Sequence, residues 1–351
     1  MKHQAVLKKD AMDDSVNSQR FIELDSLRGI AAILVIFFHY TSTVRLILPD
    51  LNFGKFDFRW GDLGVSLFFL ISGYVILMSA MGKTTIKRFS LNRLLRLYPT
   101  YCVCLLITVI LIYGTGFSRL YRPLWEIIIN FSMIQSFVGV RDFDGVYWSL
   151  SREMVFYILL AATLIITRNK IPPKLAIYAS TLWSFTGFCL INIFGSLQTN
   201  IGNLIIAASV SQFAPLFAVG MLQYLRRTTV YVSATWIAVN VFFATYNEYV
   251  MHGIEKSILL LIVILLFCVI CYRKDTSILR NKMLLGFGSI SYPLYLLHQN
   301  IGYMIIAYSY QLLGSFGSRI FAIGVVIFLA ILVHELVEKR LTSYIKKIII
   351  R

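Results

Sequence analysis

The sequence predicts an all-α, polytopic membrane protein with about ten transmembrane helices and both termini in the cytoplasm. Three observations predict it. Of 351 residues, 58% are hydrophobic, and the mean hydropathy is +0.73, which excludes an ordinary soluble domain. Apolar runs of ~20 residues recur along the chain, the length that crosses hydrocarbon as a helix. These runs are continuous rather than alternating, which argues against barrel strands. Lastly, Lys and Arg recur in alternate connections, the positive-inside pattern.

Taken in order, residues 1–20 are polar and charged, lack the apolar core of a signal peptide, and read as a cytoplasmic N-terminal tail. A single membrane domain over 21–345 follows, and 346–351 form a second cytoplasmic tail. Spans are expected near 22–44, 62–80, 93–113, 146–167, 175–195, 201–224, 230–248, 254–272, 288–313 and 317–343. The apolar segment 124–138 is too short to cross and is expected to be interfacial or re-entrant.

Orientation rests on the basic connections: Lys83 to Arg96; Arg168, Lys170 and Lys174; Arg226 and Arg227; Arg273, Lys274, Arg280 and Lys282; and the tail from Lys339 to Arg351. The net charge of +16 is therefore topological, and no nucleic-acid partner is expected. The five cysteines all lie in apolar runs and read as packing residues.

The residues able to carry chemistry are those that do not belong in lipid. Ionisable groups in hydrocarbon cost several kcal/mol unless a pocket or partner compensates. Arg28 and His39 share the first span, eleven residues apart. That separation is close to three helical turns, so they lie on nearly one face, roughly 16 Å apart along the axis. Arg28 faces the cytoplasmic side, where Asp25 can pair with it. His39 faces the outer side, where an imidazole can act as a general base or accept an acyl group.

Arg88, Arg93 and Arg96 cluster at the cytoplasmic start of the third span, and paired guanidinium groups there suit phosphates. Tyr147 and Trp148 open the fourth span at the outer interface. Arg152 and Glu153 follow them, either as an interfacial ion pair or with Glu153 at His39's depth, polarising the imidazole. His298 is expected near Arg28's depth, at the donor or hydrogen-bonded to another helix. His334 and Glu338 lie four apart without a third ligand and read as structural, so no metal is expected.

Together these segments resemble the acyltransferase-3 family of integral-membrane acyltransferases. The resemblance is carried by Arg28–ten residues–His39, by Gly64 to Tyr74, by Arg93-Leu94-Leu95-Arg96-Leu97-Tyr98-Pro99, by Trp148-Ser149-Leu150-Ser151-Arg152-Glu153 and by Ser291 to His298. It departs from many members at Ser66, where they carry aspartate, and at Asn92, where they carry a second arginine.

The resemblance implies transfer of an acyl group, usually acetyl, from cytoplasmic acetyl-CoA to a sugar hydroxyl of a cell-surface or lipid-linked glycan, at a bacterial inner membrane. Acetyl-CoA would be a co-substrate rather than a resident cofactor. Arg28 and His39 would be the essential pair, with Glu153 beside them. The resemblance ties Arg93 and Arg96 to the donor; the reading of the residues themselves adds Arg88 and His298 there, and Tyr147, Trp148 and Asp25 at the acceptor. The alternative class is a transporter or flippase of a lipid-linked glycan, which intramembrane ionisable residues suit equally well. Transporters often show internal repeats, and none is seen in this sequence.

Overall fold

The structure is a computed structural model describing residues 21–82, 84–195, 199–228, 230–273 and 276–349. The expected N-terminal tail, together with Lys83, Lys274 and Arg351 of the basic connections, falls outside the described residues. Among the described residues every regular element is helical. Eight helices are long and apolar enough to cross a membrane. They are α1 (Ile22–Ile47), α2 (Arg59–Met81), α3 (Ile86–Gly114), α5 (Gly145–Ile166), α6 (Pro173–Phe194), α7 (Asn200–Arg227), α9 (Ile254–Tyr272) and α10 (Lys282–Ile349). The short α4 (Leu124–Asn130) and the 19-residue α8 (Ala234–His252) complete the set.

Two features separate these eight from the ten expected spans. The expected span at 230–248 is α8, whose Asn240, Asn247 and Glu248 lower its apolarity. These polar groups are buried. Asn240 donates to Thr181 Oγ1 at 3.0 Å and Asn247 to Ser211 O at 3.2 Å, so the helix answers its polar groups with protein partners.

The last two expected spans are arms of α10, which is broken at Gly314 (φ 66°, ψ −177°), a conformation essentially restricted to glycine. Tyr310 and Arg319, on either side of the break, both donate to the 52–53 backbone, at 2.5 and 2.8 Å. Farther from the break, Tyr292 donates to Leu97 O at 3.0 Å, and Glu338 lies within electrostatic reach of Arg96. The chain therefore runs out along one arm and returns along the other.

Alternate connections gather at common ends. At one end Arg280 pairs with Glu23 at 3.0 Å, Arg227 stacks on Phe21 and donates to Cys271 O, and Asn169 accepts from the Ile86 amide. This is the end with most of the basic connections. At the other end Lys256 pairs with Asp62, and Arg45 donates to the carbonyls of Gly54 and Phe56. Arg119 pairs there with Asp50, and Arg141 with Glu126. These four outer-end cations are thus tied to carboxylates or carbonyls. We call the two ends inner and outer.

Close helix approach depends on glycine at several crossings, two of which frame the site. A Cβ on Gly29 of α1 would stand 2.8 Å from the Gly288 amide nitrogen of α10, and Gly73 of α2 meets the Phe217 backbone of α7 with no room for a side chain. Both crossings bring α1, α2, α7 and α10 around the cavities described next.

Candidate active site

Two cavities lie one after the other inside the bundle. The outer one, about 440 Å³, is lined by His39, Ser66, Trp148, Arg152, Gln212 and Lys256 among others. The inner one, about 90 Å³, is lined by Arg28, Ser72, Arg96, Glu153 and Tyr292 among others. Val65 and Tyr295 line both, so they form the wall between them. Tyr295 is held across that wall by its hydroxyl, 2.8 Å from Ser149 Oγ and 3.1 Å from Val146 O. The outer cavity runs along the break in α7, where Val210 (φ 56°) interrupts the helix and Gln212 and Phe213 face the space. Irregular backbone is tolerated at membrane depth where it lines a cavity.

His39 begins a π-helical turn over His39–Thr43, a distortion that often marks functional positions. Its Nδ1 lies 2.9 Å from Val35 O and 3.1 Å from His298 Nε2. A carbonyl only accepts, so the partners assign the hydrogen to His39 Nδ1. His298 Nδ1 lies 2.8 Å from Tyr295 O and carries its own hydrogen by the same argument. The bare Nε2 of His298 therefore faces the N–H of His39. What remains on His39 is an unprotonated Nε2, on a ring that lines the outer cavity. The His298 backbone is itself fixed, because Tyr40 donates to His298 O at 2.7 Å.

The inner cavity is cationic. Arg28 lies within electrostatic reach of Asp25, Arg96 and Glu153, and pairs with Asp25 at 3.4 Å. Glu153 accepts from Ser72 at 3.0 Å and from Tyr157 at 2.9 Å. Beside the cavity Arg93 donates to Ser79 at 3.1 Å, while its Nε and Nη1 are buried without a hydrogen-bond partner. Buried guanidinium groups cost several kcal/mol unless paired. Among the residues that line this cavity two arginines stand against one carboxylate, as at a site for an anion.

Comparison with known proteins bears on what such a site serves. The acyltransferase-3 family model, described as an acyltransferase domain, matches residues 21–335. The chain belongs to the acyltransferase-3 family. It is 29% identical over 163 residues to nodulation protein 10 of Rhizobium leguminosarum bv. viciae, covering 41% of this chain and 44% of that protein. It is 31% identical over 104 residues to the acyltransferase MdmB of Streptomyces mycarofaciens, covering 28% and 27%. It is 29% identical over 174 residues to the peptidoglycan O-acetyltransferase OatA of Listeria monocytogenes serovar 1/2a, covering 42% and 25%. The matches span less than half the length of these relatives. No solved structure gives a significant match.

For this acyltransferase-3 protein, several expected site residues stand where the sequence reading put them. Arg28 and His39 lie on the face of α1 that borders the two cavities, Arg96 lines the inner one and Trp148 the outer one. Others do not. Glu153 was expected beside His39, but it lines the inner cavity. The reason is the segment before α5, which dips into the helix layer. Asp144 accepts from the Asn300 amide at 3.0 Å, and Asn300 Nδ2 donates to Phe143 O at 2.8 Å. The helix that carries Glu153 thus starts near His298's depth rather than at the membrane surface.

His298 was expected near Arg28 and instead touches His39. Its helix starts at Lys282, six residues before the expected 288, so His298 sits sixteen residues, or about 24 Å, along the helix from its start. Tyr147, expected at the acceptor, is fully buried against the Tyr101 ring and lines neither cavity. Asp25 pairs with Arg28 towards the inner side, not at the acceptor. Arg88 is exposed in the first turn of α3, and neither Arg88 nor Arg93 is among the residues lining the inner cavity.

Sequence reasoning missed the Tyr295 wall and the Asp62–Lys256–Glu248–His252 network. Tyr295 lies inside the Ser291 to His298 segment, where nothing in the local sequence marks it as a wall. Glu248, His252 and Lys256 recur every four residues across α8 and α9, a spacing the reading passed over, and Asp62 joins them from α2.

Proposed function

We propose that this protein is a membrane O-acyltransferase moving an acyl group, acetyl by family resemblance, from acyl-CoA to a saccharide hydroxyl. The observation that carries this reading is the pair of cavities on either side of Tyr295. One is rich in arginine and suits the phosphates of coenzyme A. The other presents a histidine nitrogen free to take a proton. Family membership favours this over the transporter reading, and the named relative OatA acts as a peptidoglycan O-acetyltransferase.

The step follows from the geometry. His39 Nε2 removes the proton of the acceptor hydroxyl as its oxygen attacks the thioester carbonyl. The C–O bond forms, the C–S bond breaks, and the proton passes from His39 to the departing thiolate. While His39 carries the extra proton, its Nδ1–H remains shared between Val35 O and His298 Nε2, which stabilises the imidazolium. That is the task the sequence reading assigned to Glu153.

Donor access requires movement. A cavity of about 90 Å³ has room for a few water molecules, not for a pantetheine arm. In this reading the donor binds with its phosphates at Arg28 and Arg96, and its thioester reaches His39 only when Tyr295 swings aside. We place the arginine-rich end in the cytoplasm of a bacterial inner membrane, on the positive-inside pattern.

The test is acyl transfer by the purified protein, read as thiol release from acetyl-CoA and ester formation on an added saccharide. His39→Ala is expected to bind donor and transfer nothing measurable, a loss of at least about 100-fold. Full transfer by His39→Ala would refute the reading.

A further inference from the structure

The neighbours Arg152 and Glu153 part company: Glu153 lines the inner cavity, and Arg152 the outer one, on the same face of α5 as Trp148. The guanidinium of Arg152 lies 5.2 Å from the Phe137 ring centre, and its Nη1 is buried with no hydrogen-bond partner.

The other ionisable groups of the cavity are paired with one another. Lys256 Nζ lies 2.6 Å from Asp62 and 3.1 Å from Glu248, and His252 lies 3.0 Å from Glu248. Asp142, the carboxylate within electrostatic reach of Arg152, is engaged by Gln135 at 2.7 Å and Ser136 at 3.2 Å. Among the described residues that line the outer cavity, Arg152 is thus a cation with no ion pair of its own. A half-buried guanidinium in that state favours an anionic oxygen ligand, which it can grip with two parallel N–H groups. The same cavity is lined by Trp148, an aromatic face for a sugar ring, by Asn203, and by Gln212, whose amide donates to Glu248 at 3.4 Å.

We propose that the outer cavity selects an anionic acceptor, a saccharide bearing a carboxylate or phosphate that pairs with Arg152 while its hydroxyl meets His39. This rests on the acyltransferase reading above and names the charge class of its acceptor.

The experiment compares methyl glucoside, methyl glucuronide and glucose 6-phosphate as acceptors for the purified full chain, for R152Q and for R152K. The readouts are ester formation and thiol release, with donor binding as the check on folding. The intact protein is expected to favour at least one charged acceptor about tenfold or more in kcat/KM. The better of the two charged sugars identifies the anion. R152Q should raise the KM for that acceptor and bring the charged-to-neutral ratio towards one, and R152K should restore part of it.

Equal use of charged and neutral acceptors by the intact protein would overturn the proposal and leave the acyltransferase reading standing. So would an R152Q defect confined to kcat and equal for all acceptors, which would put Arg152 on the reacting carbonyl oxygen instead. Donor bound without transfer to any sugar would refute the acyltransferase reading itself, and this proposal with it.

Discussion

The two cavities differ in volume by nearly fivefold, about 90 against 440 Å³, and differ more in how their charges are answered. In the inner cavity two arginines face one glutamate that already holds Ser72 and Tyr157. In the outer cavity Lys256, Asp62, Glu248 and His252 pair with one another, and Arg152 has no ion pair among the described residues that line it. The inner chamber is thus a small cationic socket that must widen for its ligand. The outer chamber is a preformed room with a base at one end. On the proposed reading, the difference teaches that the donor side demands movement and the acceptor side discriminates.

Four substitutions sharpen that contrast, from the largest expected effect to the smallest. His298→Phe keeps an aromatic ring against His39 but removes the acceptor for the His39 Nδ1 hydrogen. Transfer should fall about 100-fold in kcat with donor affinity kept, because orienting partners of catalytic histidines act on the chemical step. An unchanged kcat would mean that Val35 O alone holds the ring.

Arg28→Gln removes a charge from the inner socket. Charge-assisted hydrogen bonds contribute about 1.5–3 kcal/mol, so the KM for acyl-CoA should rise about tenfold or more, with the KM for the acceptor little changed. Tyr295→Phe deletes the hydroxyl that spans the wall, a loss of about 0.5–1.5 kcal/mol of hydrogen bonding. Thiol release without acceptor should increase up to about tenfold, as water meets the thioester through a looser wall. A decrease would argue that Tyr295 positions substrate rather than separating the cavities. Arg88→Ala, at an exposed position outside both cavities, should change donor KM by less than about twofold, as exposed surface charges contribute little.

Much of this architecture was legible in the sequence because the membrane imposes it. Apolar length gave the helices, and eleven-residue spacing put Arg28 and His39 on one face of α1. Gly314 shows where that legibility holds without boundaries: two spans were expected on either side of it, and the chain does fold back there.

What could not be read was depth. Glu153 and His298 exchanged expected places because depth depends on where each helix begins. One start was hidden by the segment ahead of α5, which dips into the bundle, and the other by six extra residues at the start of α10. Tertiary charge balance was equally invisible. Arg152 looked like half of an interfacial pair with Glu153, and only the packing of α5 beside Tyr295 shows the two facing different chambers.

The central claim is that donor and acceptor reach His39 from opposite ends of the bundle. Sealed vesicles holding the protein in one orientation test it most directly, with saccharide trapped inside and acetyl-CoA added outside, then the arrangement reversed. The account predicts acylated saccharide only when acetyl-CoA is on the side of the Arg28–Arg96 end and the acceptor is on the other. Equal transfer with both substrates confined to the outer-cavity side would contradict it.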